Sequence, residues 1–259
     1  MQRRPLLVVG DVQGDYERLT DALAAYPEGD VDTIFLGDFF QGGRLGAAGG
    51  AEAARVAMRR RNTRAVLGNH DLFLLAVVEH GRGDSSVQSW QTKDGRNMEQ
   101  LWLSRRGDWA DVDAVTGDRE LEAWLRHLPL LILLDDGTLI QHADDDSPLR
   151  VGATVADVNE TVGHQLAESG GLYSVIRLVM GRHSFIDEAQ LERYLAHFGA
   201  RRVVHGHTPH GEDRPQQFHA GRVWSFDGRF SRYWAPEDSD RTGPIEATVA
   251  LLPPMDRDC

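Results

Sequence analysis

Five short stretches combine glycine or alanine with residues able to bind cations or move protons: Gly10-Asp11-Val12-Gln13-Gly14, Gly37-Asp38, Gly68-Asn69-His70-Asp71, His142-Ala143-Asp144 and Gly206-His207-Thr208. Each follows an apolar run. Carboxylates, amides and imidazoles converging from separate strand ends suit hard or borderline divalent ions, Mn, Fe, Zn, Mg or Ni, with Mn favoured. Asp38 can bridge two such ions, with Asp11 and Gln13 serving one and Asn69, His142 and His207 the other. Two ions about 3.5 Å apart can activate a bridging hydroxide and neutralise a phosphoryl group during in-line displacement. His70, beside the cluster and not in it, can then protonate the leaving oxygen. Any one Asp or Asn alone would be ordinary turn chemistry, because these side chains bond nearby backbone. Their joint placement at strand ends favours the metal reading.

The apolar runs supply the positioning elements. Leu6 to Gly10, Thr33 to Leu36 and Arg64 to Leu67 read as buried strands, separated by helical stretches from Asp15 to Tyr26 and from Ala51 to Arg61. This is β-α-β-α-β, the pattern of a parallel sheet with right-handed crossovers, in which ligands collect outside the carboxyl ends of the strands. Asp15 is placed to cap the first helix. A helix from Asp71 to Glu79 follows, and then a polar stretch, residues 81–117, read as an insertion bordering the pocket. Its tryptophans, Trp90, Trp102 and Trp109, are assigned to packing rather than to stacking on a base. Further on come a helix at Arg119 to Leu128, a hairpin of Leu130 to Leu134 with Thr138 to His142, helices at Val155 to Glu168 and Asp187 to Phe198, and a strand at Arg201 to His205. A late hairpin is expected from Arg222 to Asp227 and Phe230 to Trp234, with an edge strand in Ile245 to Leu252. Residues 1–252 are expected to form a single domain of the α/β class, with 253–259 a loose tail.

Composition narrows the function classes. The formal charge is −12, from 28 Lys and Arg against 40 Asp and Glu, which argues against an extended nucleic-acid partner. The one cysteine, Cys259, allows neither a disulfide framework nor a thiolate metal site. The apolar run near the N-terminus is too short for a signal-peptide core, and no run is long enough for a membrane span, so a cytoplasmic protein with no membrane partner is expected. Nothing in the sequence speaks to oligomeric state.

The order G-D-x-x-G, G-D, G-N-H-D, H-A-D, G-H-T resembles the calcineurin-like metallophosphoesterase superfamily over about residues 5–234, on the branch of the serine/threonine protein phosphatases. The resemblance implies a four-layer α/β/β/α sandwich with mixed sheets and a binuclear metal centre. Leu67 to Val77 and Trp124 to Leu131 look closest to symmetrical bis(5'-nucleosyl)-tetraphosphatases. Val203 to Pro209 and Ser225-Phe226-Asp227-Gly228 resemble bacterial and phage phosphoprotein phosphatases. The implied substrate is therefore a nucleotide or dinucleotide polyphosphate, a phosphoprotein or a small phosphometabolite.

Three positions depart from the family pattern. Gln13 stands where most members have a histidine ligand, although some tetraphosphatase-like members carry the same G-D-x-Q-G. Gln41 stands where an aspartate orients the catalytic histidine. Gly42 stands where a phosphate-clamping arginine is usual, and Arg182, with Arg44 as a second candidate, is expected to take that task. These departures leave open an alternative from another class, a weak or inactive relative that binds a phosphorylated ligand or partner.

Overall fold

Alternation within the apolar runs decides the layering. In β1 (Leu6–Val9), Leu7 and Val9 belong to one core and Val8 to another. The same split recurs in β2 (Asp32–Phe35) between Phe35 and Ile34, in β5 (Thr138–Ile140) between Leu139 and Ile140, and in β6 (Arg202–His205) between Val203 and Val204. A period of two with both faces apolar requires cover on both sides of the sheet. The second core, with Val8, Ile34, Val66, Ile140, Val204 and Phe226, draws on two sheets stacked face to face. The larger core carries the outer sheet faces and the apolar sides of the helices. The chain is a four-layer α/β/β/α sandwich with two mixed sheets and, among the described residues, nine α-helices.

The computed structural model describes residues 4–80, 96–168, 170–233 and 242–255. In the first sheet β1, β2 and β3 (Thr63–Ala65) run parallel, and β9 (Val249–Leu252) closes one edge antiparallel to β1. In the second, β5, β6 and β8 (Val223–Ser225) run parallel, flanked by antiparallel β4 (Ile132–Leu133) and β7 (Gln216–Phe218). Each sheet thus contributes three parallel strands. Helices α1 (Tyr16–Ala24), α2 (Gly49–Arg59), α3 (Asn69–His80), α6 (Arg119–Arg126), α7 (Val155–Ala167) and α9 (Glu188–Phe198) fall within two residues of the sequence expectations. Asp15 caps α1 as expected, accepting from the Arg18 N–H at 3.3 Å, and its carboxylate also accepts the Arg232 backbone N–H at 2.9 Å and the Arg232 guanidinium at 2.9 and 2.7 Å.

Three expectations are corrected. Asn69 and His70 are not in the turn before a helix but in the first turn of α3 itself, which directs backbone N–H groups at the site. The stretch 81–117 is not irregular throughout: its described part forms α4 (Met98–Ser104) and α5 (Trp109–Thr116). Trp102 there is fully buried and Trp109 half-buried, whereas Trp90 lies outside the described residues. The third correction concerns β8, which pairs antiparallel with the preceding Gln216–Phe218 and parallel with β6. Phe230 to Tyr233 form no strand, and Trp234 lies outside the described residues. A further short helix, α8 (Leu172–Ile176), precedes the Gly181-Arg182-His183 segment.

Helix α5 is fastened to α2 by a buried carboxylate. Asp111 of α5 is buried and accepts the Ala51 N–H at 2.9 Å, in the first turn of α2. Burial pushes its carboxyl up to about 7 against the pull of the Ala51 and Gly50 amides. The folded-state value therefore lies above the unfolded one, so the stabilisation is complete below about pH 4 and is lost as pH rises through about 7. Asp111→Asn is expected to flatten the pH dependence of stability across that window, by up to about 1.4 kcal/mol per pH unit. Denaturant unfolding at pH 5 and pH 8 reads this directly, and equal slopes in wild type and variant would refute it.

Candidate metal centre and active site

Asp11 follows β1, Asp38 follows β2, Asn69 opens the helix after β3, His142 follows β5 and His207 follows β6. All five are buried. The structure brings them together, with Asp38 at the middle. Asp38 Oδ1 accepts the His70 backbone N–H at 2.8 Å and lies 3.4 Å from His142 Nε2. His142 Nε2 in turn lies 2.9 Å from Asn69 Oδ1. One oxygen or nitrogen each from Asp38, His142 and His207 fall within 4.8 Å of one another.

The ring of His142 shows what this arrangement fits. Its Nδ1 faces the Leu36 carbonyl oxygen at 2.8 Å, and a carbonyl only accepts, so the proton sits on Nδ1. Burial lowers the His142 pKa to about 3, so the ring is neutral and Nε2 presents a lone pair. That lone pair faces the amide oxygen of Asn69 and a carboxylate oxygen of Asp38, which are acceptors too. Three converging acceptors repel one another unless a cation lies among them, and this donor set fits a divalent ion. The Leu36 carbonyl also fixes which ring nitrogen faces inward, a recurrent feature of histidine ligands.

Backbone conformation has been bent to the same end. Gln13, Asp38 and His207 have φ of 46°, 53° and 65°, in the left-handed region that L residues rarely adopt. The Asp38 turn is held by Asp71, whose carboxylate accepts the N–H groups of Asp38 (3.0 Å), Phe39 (2.8 Å) and Gly68 (2.9 Å). The His207 N–H donates to both Asp11 oxygens, at 3.1 and 3.2 Å. Glycine is needed at 206, because a Cβ there would lie 2.2 Å from Asp11 Oδ1.

The remaining candidates are distributed as follows. Gln13 is half-buried, and its backbone N–H donates to the Asp38 carbonyl at 2.9 Å, while its side chain makes no hydrogen bond among the described residues. His70 lies beside the cluster, with Nε2 3.9 Å from Asp38 Oδ2. Burial lowers its pKa well below the usual histidine value, with His142, Arg105 and Arg182 adding to the effect and a hydrogen bond to the Phe40 backbone opposing it. Arg182 borders the cluster, its Nε donating to His207 Nε2 at 3.2 Å. Arg44 is not brought to the others: it is exposed in the loop before α2.

Gln41 does not take over the orienting task of an acid. It is fully buried, and its Nε2 donates to the Trp102 carbonyl at 3.2 Å. The Phe40 backbone lies near His70 and favours its charged form. Two residues escaped the sequence reading. Arg105, at the end of α4, bears on His70 through its charge, and only tertiary packing puts it there. Asp227, two residues past β8, lies beside Asp11, and its signal, a carboxylate just after an apolar strand, matched those of Asp11 and Asp38.

Residues 4–211 match the family model for calcineurin-like phosphoesterases. Solved structures share the architecture. The cold-active protein-tyrosine phosphatase of a psychrophilic Shewanella species is 18% identical, covering 97% of this chain and 81% of its own, with a TM-score of 0.62. A protein serine/threonine phosphatase from Saccharomyces cerevisiae is 12% identical over 96% of this chain and 79% of its own, with a TM-score of 0.51. At such identities the likeness establishes the fold. No curated protein matches the chain.

Proposed function

The chain belongs to the calcineurin-like phosphoesterase family of hydrolases, and from that premise we propose that it binds two divalent ions, manganese favoured, and cleaves a phosphomonoester or phosphoanhydride by direct attack of water. The observation that carries this reading is the set of lone pairs on His142 Nε2, Asn69 Oδ1 and Asp38 Oδ1, buried face to face with Arg182 at their border. When bound, the ions would supply a nucleophilic water and offset the phosphoryl charge. Asp38 lies between the two groups of ligands, Asp11 and Gln13 on one side and Asn69, His142 and His207 on the other. Arg182 holds the phosphoryl oxygens, a task suited to a planar guanidinium that donates at two points.

His70 hands a proton to the departing oxygen, its charged form being favoured only when the phosphoryl anion of bound substrate offsets the burial that otherwise keeps the ring neutral. Its backbone N–H is tied to Asp38, so one turn of α3 sets the proton donor beside Asp38. His70→Ala is expected to lower kcat about 100- to 10,000-fold with little change in KM. A drop in KM alone would contradict the role.

The substrate is a phosphorylated small molecule, a nucleotide or a phosphoprotein. Residues 67–77 and 124–131 support a dinucleoside polyphosphate, and residues 203–228 a phosphoprotein. Turnover of diadenosine tetraphosphate, a phosphopeptide and p-nitrophenyl phosphate by the manganese-loaded protein tests both the chemistry and the choice. Hydrolysis of none of the three would sink the reading. Among the described residues no helix is long and apolar enough to cross a membrane, and the single cysteine agrees with a cytoplasmic setting.

A further inference from the structure

A cavity of about 320 Å3 lies against β6, β7 and β8, on the sheet face turned away from the seam. Strand register arranges its wall. His205 of β6 pairs with Ser225 of β8, and Ser225 pairs with Gln216 of β7, so these polar side chains stand in one row on one face of the sheet. The next row on that face, Val223 with Phe218, is apolar. The polar row has capacity to spare. His205 Nδ1 donates to the Gly206 carbonyl at 2.9 Å, which leaves Nε2, and the Gln216 amide makes no hydrogen bond among the described residues. Ser225 is 2% exposed, and its Oγ is buried with no hydrogen-bond partner, a costly state that a ligand would relieve. The turn Ser184–Ile186 adds Phe185 and Ile186 to the wall, and Phe218 and Ile186 are 38% and 64% exposed. The cavity adjoins the metal centre: Thr208 follows His207, and His183 follows Arg182. Asp144, two residues beyond His142, ties the two together by accepting the Thr208 hydroxyl at 2.7 Å and the His183 N–H at 2.8 Å.

We propose that this cavity receives the base of a nucleotide substrate whose phosphoryl group is held at Arg182. This rests on the phosphoesterase reading above and narrows its substrate class. A base is flat and apolar on its faces and carries hydrogen-bond donors and acceptors along its edge. Val223 and Phe218 suit the face, and the row of His205, Ser225 and Gln216 suits the edge. The ring of a phosphotyrosine has no such edge, because its one oxygen is esterified, and it would leave that row unmatched.

The test uses the full-length protein in two measurements. Saturation-transfer NMR on AMP in chelator reads the cavity without catalysis: the base protons should receive more saturation than the ribose protons, and Phe218→Ala should weaken the transfer at least about threefold. In Mn2+, the ratio of kcat/KM for diadenosine tetraphosphate to that for inorganic tripolyphosphate should fall at least about tenfold in Phe218→Ala and in Gln216→Ala. Should either variant fail to fold, the other decides. No transfer to AMP at about 10 mM, or a ratio unchanged in both variants, would overturn the assignment while leaving the phosphoesterase reading intact. A phosphotyrosine peptide that loses as much in the variants as the dinucleotide would overturn the choice of a base. Transfer to AMP that Phe218→Ala weakens, in a protein that hydrolyses neither phosphoanhydride nor phosphoester, would support the cavity and sink the catalytic reading.

Discussion

Replacing Asp38 by asparagine is expected to lower phosphoester turnover about a thousandfold or more, and at the same time to raise the melting temperature of the chelator-treated protein. The two effects have one origin. Asp38 is 1% exposed, touches Asp11, and lies 3.4 Å from the His142 lone pair. Without cations its charge is a burden: burial, then Asp71, push its carboxyl well above the usual range, and Asp227 adds to the push. Asparagine removes that charge and can donate to Asp11. On the proposed two-ion reading the same charge bridges the two groups of ligands, and losing it is expected to forfeit about 4 kcal/mol of transition-state stabilisation, a factor of about a thousand. Steady-state kinetics in Mn2+ and a melting curve in chelator measure the pair. Activity within tenfold of wild type would show that Asp38 is no bridge.

The second large effect lies one turn away. Asp71→Ala is expected to destabilise the protein by about 4 kcal/mol and to abolish activity along with it. Its carboxylate is fully buried and accepts three backbone N–H groups, from Asp38, Phe39 and Gly68. Water cannot replace it at those donors, so all three would be stranded. The amides belong to the turns that carry Asp38 and Asn69, and slackening them moves both ligands. Equilibrium unfolding in urea gives the loss. A change below about 1 kcal/mol would show that the turns hold themselves, and the left-handed φ of 53° at Asp38 makes that a demanding alternative.

The framework was legible because its strands are buried on both faces. Leu6 to Val9 reads as a strand in sequence for the same reason that it splits between two cores in the fold. Strand ends then gave the positions of Asp11, Asp38, Asn69, His142 and His207. What escaped the reading depends on long-range packing. Helices α4 and α5 are seven and eight residues long, too short for a clear period, and they are fixed by contact with α3 and α2. Helix α3 is buried from Asn69 to Val77 and so shows no polar stripe. Asp227 was hidden by Gly228: an Asp-Gly pair between apolar runs is a strong hairpin signal, and it outweighed the likeness of Ser-Phe-Asp to Leu-Gly-Asp. Gln41 reads from sequence as a defect in the histidine's support, and in the fold its amide N–H is spent on the Trp102 carbonyl of α4.

The seam between the sheets has a consequence for assembly. The first sheet brings Asp11, Asp38 and Asn69, and the second brings His142, His207 and Asp227. If the proposed ligands hold ions across this seam, cation uptake and the docking of one sheet on the other form a single equilibrium. The site concentrates opposing charge at the open edge of a seam that holds ten buried apolar side chains. An ion there acts as a rivet across the two halves. Its affinity, measured on the intact protein, would carry the free energy of holding the halves together.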